Sequence, residues 1–291
     1  MLFTDKVRVL MSKATSNIAR RSLRELTSLD QSAGMRRNGH EHKPVKLKAL
    51  PTDFVTHNHN VYKLESVAGD SVGKCGLFSA EAHIFAKYQR EIATARVLDI
   101  GVGGGRTAEY LLTRCRSYQA IDYSPAMIDA CRRRFPECAP DTFRVADARD
   151  LSEYATGEFD FALFSYNGLD YIGHQDRLRA LSEIRRVLRP GGLFCFSTHS
   201  LHAFPFAEPR VQARNAHVDI NRLRQQGWFN LIDRAADVVT YYVYPDVQKR
   251  QLKIAEFAVL QVLDMQAQPF DFSSPPDDWM IHFVCQARAT R

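Results

Sequence analysis

No two of the six cysteines (Cys75, Cys115, Cys131, Cys138, Cys195, Cys285) form a CxxC pair. Scattered thiols argue against a disulfide framework or a zinc site and point to a reducing, cytoplasmic setting. The chain has no run of 18 apolar residues, so no membrane-spanning helix is expected. Its first residues lack the apolar core of a secretory signal, and export is not expected. No internal repeat is evident. His57 and His59 stand two apart, but no carboxylate cluster accompanies them, and no metal site is expected.

What charge there is sits unevenly. Residues 1–48 hold eleven of the 39 Lys and Arg but only four of the 33 Asp and Glu. That leaves 28 basic and 29 acidic residues for the remainder, so the net +6 belongs to the arm and the body is near neutral. The expected organisation is a basic, flexible arm over 1–50 followed by one domain over 51–291. The arm has three readings: a solvated tail, an amphipathic targeting helix that Asp5 and Glu25 count against, or a contact with an acidic partner.

Beyond Pro51, apolar runs alternate with helical patterns. "GLFSAEAHIFAKYQREIAT" reads as a helix with Ser79 as cap. Strands are expected at 95–100, 117–123, 142–147, 159–167, 193–199, 257–265 and 279–287. Helices are expected at "TAEYLLTRC", after Ser124-Pro125, and over "HQDRLRALSEIRRVLRPGG", which Pro190-Gly191-Gly192 should end. Strands separated by helices imply an α/β fold: a doubly wound, mostly parallel seven-stranded sheet with helices on both faces. The last two strands should pair as an antiparallel hairpin. Residues 200–250 break the rhythm and read as a lid or insert covering a substrate rather than a core element.

The run "LDIGVGGGRT" places four glycines within five residues, behind an acidic residue that closes a strand. Glycine there permits angles that a Cβ forbids and lets a ligand lie on bare peptide groups at a helix start. Two ligand classes compete. A dinucleotide pattern G-x-G-x-x-G fails from Gly101, whose sixth position is Arg106, and passes loosely from Gly103 to Ala108. The pattern D-x-G-x-G-x-G is complete at Asp99, Gly101, Gly103 and Gly105.

With Asp122 closing the second strand in "AIDYS", Asp147 closing the third in "VADAR", and "LRPGGLF" before the fifth, the sequence resembles the class I S-adenosylmethionine-dependent methyltransferases over roughly 75–287. The resemblance implies S-adenosylmethionine as cofactor. Asp122 would accept from both ribose hydroxyls and Asp147 from the adenine amino group, with the Ala148 N–H near a ring nitrogen. The glycine loop would face the methionine part, organised by Asp99. Tyr123 would lie on the ribose–adenine edge, and Phe164 and Ser165 beneath the methyl donor. Each has a plainer reading: Asp99 as a cap, Asp122 as a strand-end carboxylate, Asp147 as a solvated one, Tyr123 as packing.

The acceptor is read from the end of strand four. Adenine and cytosine amino-group methyltransferases usually carry [DNS]-P-P-[YFW] there; this chain has Ser165-Tyr166-Asn167-Gly168, with no proline. No Cys-Pro pair suited to attack on cytosine occurs either. With the near-neutral body, this favours a small organic acceptor over nucleic acid, methylated at N or O. Asn167 would orient the substrate or close a turn, and Tyr171 would wall the pocket or pack. His199 is the first choice for general base, because its ordinary pKa suits proton transfer near neutrality. His174 reads as a cap or surface residue, and Tyr241 and Tyr242 as a substrate cover or as packing. Rival readings are an RNA or protein methyltransferase using the arm, a non-catalytic cofactor-binding protein, and a nicotinamide dehydrogenase.

Overall fold

The computed structural model of the protein describes residues 56–58, 60, 75–204, 219–232, 238–273, 275 and 278–289. All of them fall within one unit, Leu47–Arg291, and the arm expected at 1–50 lies outside the described residues.

The apolar runs form β1 (Arg96–Ile100), β2 (Ser117–Asp122), β3 (Phe143–Val145), β4 (Phe159–Phe164) and β5 (Leu188–Ser200). They lie side by side in the order β3-β2-β1-β4-β5, every pair parallel. β8 (Phe257–Leu263) and β9 (Met280–Ala287) form the expected antiparallel hairpin, and β9 pairs with β5 along Leu193–His199. The seven expected strands are therefore present in one sheet. Two more, β6 (Trp228–Ile232) and β7 (Val239–Val243), bring it to nine.

Because successive strand residues point to opposite faces, a sheet covered on both sides needs apolar residues at nearly every position. Leu98, Ile100, Ala162, Phe164, Phe194 and Phe196 pack on one face against Leu181 and Ile184 of α5 (His174–Val187). Their neighbours Val97, Phe161, Leu163, Leu193 and Cys195 pack on the other, against Ile84 and Phe85 of α1 (Ser79–Lys87) and Ile128 of α4 (Pro125–Arg134). Between these lie α2 (Gln89–Thr94) and α3 (Ala108–Leu111); α6 (Ile220–Gln226) and α7 (Pro245–Ile254) follow later.

Several boundaries differ from expectation. The first helix breaks at Tyr88, and Phe78, not Ser79, holds its cap position. Phe78 N–H donates to Glu81 Oε2 (2.9 Å), so a side chain one turn in closes the helix start. Ser124 does stand at the cap of α4 with Pro125 behind it, but its side chain makes no capping bond. α3 keeps only four residues of the expected nine. α5 stops at Val187, and Pro190-Gly191-Gly192 lies inside β5 instead, where the pairing with β4 shifts between Phe159 and Phe161.

The reading of 200–250 as an insert outside the core also needs correction, because β7 enters the sheet. Its pairing with β5 is parallel at His199↔Tyr242 and Ser200↔Val243. Ser200 N–H donates to Trp279 O while Leu201 N–H donates to Val243 O, and adjacent strand N–H groups point to opposite edges. β7 therefore lies on the edge opposite β9, the one that β4 leaves empty beyond Phe164↔Phe196. All five β7 residues are buried, which suits a sheet strand and not a surface flap. Residues 205–218 and 233–237 of the segment lie outside the described residues.

Phe194 is fully buried, stacks on Phe196 at a centroid distance of 4.8 Å and lies tilted against Phe257 at 5.4 Å. Phe194→Ala should lower stability by about 3–5 kcal/mol. Urea unfolding followed by circular dichroism checks this; a loss under about 1 kcal/mol would mean this face of the sheet does not carry the core.

Candidate active site

The chain runs from β1 outward through β2 to β3, then returns to lay β4 on the other edge of β1. Where the strand order reverses, the loops leaving β1 and β4 part and open a cleft at the carboxyl ends of the strands. Its walls come from the glycine loop, Asp122 and Tyr123 after β2, Asp147 and Ala148 after β3, and Phe164 to Tyr166 after β4.

The glycines divide the labour. Gly101, Gly103 and Gly105 all have positive φ (64°, 55° and 83°). A Cβ on Gly101 would sit 2.7 Å from the Phe164 ring, and one on Gly105 2.6 Å from the Phe135 ring. On Gly103 it would meet nothing within 4 Å, because that residue faces the cleft. Two of the three are therefore required by packing as well as angle, and Gly103 leaves bare backbone for a ligand.

The three carboxylates read from the sequence differ. Asp122 lines the cleft and accepts from Gly103 N–H (3.0 Å) and Ser124 N–H (2.9 Å). Burial pushes its carboxyl up to about 6, against the pull of those two donors. Asp99 is fully buried and is not part of the cleft wall. Its Oδ2 accepts from Thr107 Oγ1 (2.6 Å) and Tyr118 OH (2.8 Å). Burial raises it too, to about 6, with Thr107 and Tyr118 opposing. It braces the loop from beneath and touches no ligand space. Asp147 lines the cleft, but Arg149 grips its carboxylate through Nε (2.9 Å) and Nη2 (2.7 Å), and the same guanidinium reaches Asp176 (2.9 Å). Its remaining lone pairs alone face a ligand.

Sequence reasoning missed a buried ion pair in the same wall. Arg106 binds both oxygens of Glu81 (2.6 and 2.7 Å), Gly76 O (2.9 Å) and Ser165 Oγ (2.6 Å), and lies over the Phe78 ring. Ser165 Oγ donates to Glu81 Oε1. Burial opposes the Glu81 charge, yet Arg106, Ser165 and the Phe78 N–H outweigh it and hold the carboxyl below its usual range. Asn58 also lines the cleft. Its amide donates to Tyr171 O (3.0 Å) and Val239 O (2.8 Å) and accepts from Val239 N–H (2.9 Å).

Tyr171 and Phe164 line the cleft, whereas Asn167 and His199 do not. Tyr166 and Asn167 both adopt left-handed angles, and Asn167 N–H donates to Ser197 Oγ (2.8 Å). The turn sends Gly168–Tyr171 back as a short 3-10 helix, bringing Asp170 onto the free edge of β5. There one Asp170 oxygen accepts from His199 N–H (2.6 Å) and faces His199 Nδ1 (2.8 Å). The other accepts from Thr198 Oγ1 (2.7 Å) and Arg177 Nη1 (2.5 Å). Arg177, wholly buried, also binds Gln248 Oε1 of α7 (2.6 Å). With a carboxylate on Nδ1, that nitrogen carries the hydrogen and Nε2 presents the lone pair. His174 is no simple surface residue: its ring stacks on Trp228 at 3.8 Å and its Nδ1 meets Tyr241 OH (2.9 Å). Tyr241 packs in the core, and Tyr242 lies against His199.

A family model described as "Methyltransferase domain" matches residues 97–192. A ubiquinone biosynthesis O-methyltransferase of Xanthomonas oryzae pv. oryzae is 32% identical over 181 residues, covering 62% of this chain and 70% of the relative. The chain belongs to the class I S-adenosylmethionine-dependent methyltransferases. A malonyl-[acyl-carrier protein] O-methyltransferase of Halorhodospira halophila is 31% identical over 54% of this chain and 56% of its own length. An S-adenosylmethionine-dependent methyltransferase from Clostridium acetobutylicum superposes with a TM-score of 0.53 at 15% identity, covering 80% of this chain and 98% of its own, a likeness of fold. The methyltransferase is thus an enzyme that uses S-adenosylmethionine.

The cleft fits that cofactor on its own evidence. Gly103 offers an open cradle, Asp122 has lone pairs at a strand end for a diol, and Met127 and Ala148 supply apolar walls. A ribose hydroxyl donates a stronger, charge-assisted hydrogen bond to an ionised carboxylate than to a neutral carboxyl, so S-adenosylhomocysteine should bind more tightly as pH rises through about 6. Without ligand the sign reverses: stability that Asp122 and Asp99 contribute in their neutral forms is present below their ordinary pKa and lost as pH rises through about 6. Asp122→Asn should flatten the pH dependence of binding and weaken it by about 1.5–3 kcal/mol. Calorimetric titration from pH 5 to pH 8 reads both, and an unaltered slope in the variant would remove Asp122 from the ribose role.

Proposed function

We propose that this methyltransferase methylates an oxygen of a small organic acceptor, with His199 as the general base. The pairing of His199 Nδ1 with the buried Asp170 carboxylate carries the reading. A hydroxyl that becomes an ether must lose its proton during the step, whereas an amine that arrives neutral need not. An imidazole whose far nitrogen is anchored to a carboxylate is oriented to take that proton at Nε2. The names of both relatives, each an O-methyltransferase, support the same choice.

When bound, S-adenosylmethionine supplies a methyl group on a positively charged sulfur, already activated for transfer. The protein's residues have three tasks. Gly103, Asp122 and Asp147 hold the donor, with Asp99 and the Glu81–Arg106 pair bracing the loop and wall around them. Ser165 and Tyr166 border the space where acceptor and donor meet. His199 receives the proton, and Arg177 keeps the Asp170 charge compensated in a buried setting. In this reading residues 1–50 are an appended basic arm to a domain over 51–291, and the unpaired cysteines fit a reducing cytosol.

His199→Ala should leave S-adenosylhomocysteine affinity unchanged and lower kcat by about 10²–10⁴-fold, the span of general-base catalysis. Transfer of labelled methyl to a panel of hydroxyl and amine acceptors is the measurement. Equal kcat in the variant, or transfer to amines alone, would rule out the base-assisted oxygen reaction.

A further inference from the structure

Trp279 is 40% exposed, although aromatic rings surround it. Its ring lies 5.7 Å from His199 and 6.2 Å from Tyr166, with an interplanar angle of 89° to the latter. Tyr166 in turn stacks on Phe78 at 5.4 Å and lines the cofactor cleft. Tyr166 and Trp279 therefore form a corner of two perpendicular rings at the junction between the cleft and His199. Such a corner matches a flat ring, which stacks on one wall and meets the other edge-on.

We infer that the acceptor is a planar aromatic ring bearing a hydroxyl, seated on Trp279 with Tyr166 at its edge. This rests on the oxygen-methylation reading above and narrows it to one substrate class. Trp279 is then the specificity-determining residue, supplied by the loop before β9, which neither the glycine motif nor the strand-four motif contains.

The test uses the full chain saturated with S-adenosylhomocysteine. Trp228→Phe leaves Trp279 as the sole indole of the two in the sequence, so fluorescence reports on this corner. Phenol and cyclohexanol serve as probes of similar size that differ in planarity. Phenol should quench saturably and cyclohexanol should not. Trp279→Leu should raise KM for phenol methylation about tenfold, the equivalent of one aromatic contact, with S-adenosylhomocysteine affinity unchanged. Should Trp228→Phe fail to fold, the difference between the native chain and Trp279→Leu isolates the same signal. An equal response to both probes, or no saturable quenching by phenol, overturns the proposal. Saturable quenching without any methyl transfer by the native enzyme would instead overturn the oxygen-methylation reading and leave the aromatic site standing.

Discussion

β4 and β5 end at different heights, and much of the active site follows from that mismatch. β4 stops at Phe164 opposite Phe196, while β5 continues to Ser200. The N–H groups on the vacated edge of β5 need acceptors, because an unpaired buried amide costs about as much as a lost hydrogen bond. Asp170 takes His199 N–H, and Val243 O of β7 takes Leu201 N–H. A carboxylate placed there is buried, and a lone buried charge is strongly destabilising, so a guanidinium must accompany it. Arg177 supplies this from α5. The imidazole of His199 then lies on a charged oxygen whose first duty is to the backbone. One side chain, Asp170, thus serves the backbone and, in the proposed reaction, orients the imidazole.

The cofactor side works by a different compensation. Asp99, one residue before the end of β1, and Asp122, at the end of the neighbouring parallel β2, are both opposed in their charge by desolvation. Neither has a cationic partner in hydrogen-bond contact; neutral donors from Thr107, Tyr118, Gly103 and Ser124 serve instead. A ligand bearing hydroxyl donors relieves this cost in a way that a preformed ion pair would not. By contrast, Glu81 and Arg106 in the same wall satisfy each other and stay rigid. The ion-paired residues shape the cleft, while Asp122, held by neutral donors, lines it without a countercharge in hydrogen-bond contact among the described residues.

Most of the architecture was legible in the sequence because it rests on local periodicity. Buried strand segments such as 161–164 are apolar at successive positions, and Leu181 and Ile184 mark the inward face of α5. The strand-end carboxylates were legible because a motif fixes their spacing. Asp170 and Arg177 were not: they are seven residues apart around a turn, and only the height of β5 tells what they meet. Glu81 and Arg106 stand 25 residues apart, and their one signal was an arginine inside an otherwise small-residue loop. β7 was not legible as a sheet strand, because it stands beyond the break in the strand–helix rhythm. Its partner edge exists only once β4 has ended.

Strain marks where the two halves of the site join. Left-handed angles suit Asn167, whose side-chain type tolerates them, but an aromatic residue at φ 50° such as Tyr166 is held there against its preference, at a cost of order 1–3 kcal/mol. Glycine would remove that cost at once. What glycine would forfeit is the ring that stacks on Phe78, stands against Trp279 and lines the cofactor cleft. A large side chain in a glycine-like conformation, at the only place where cofactor wall and aromatic corner touch among the described residues, is better explained by what its ring contacts than by the turn it makes.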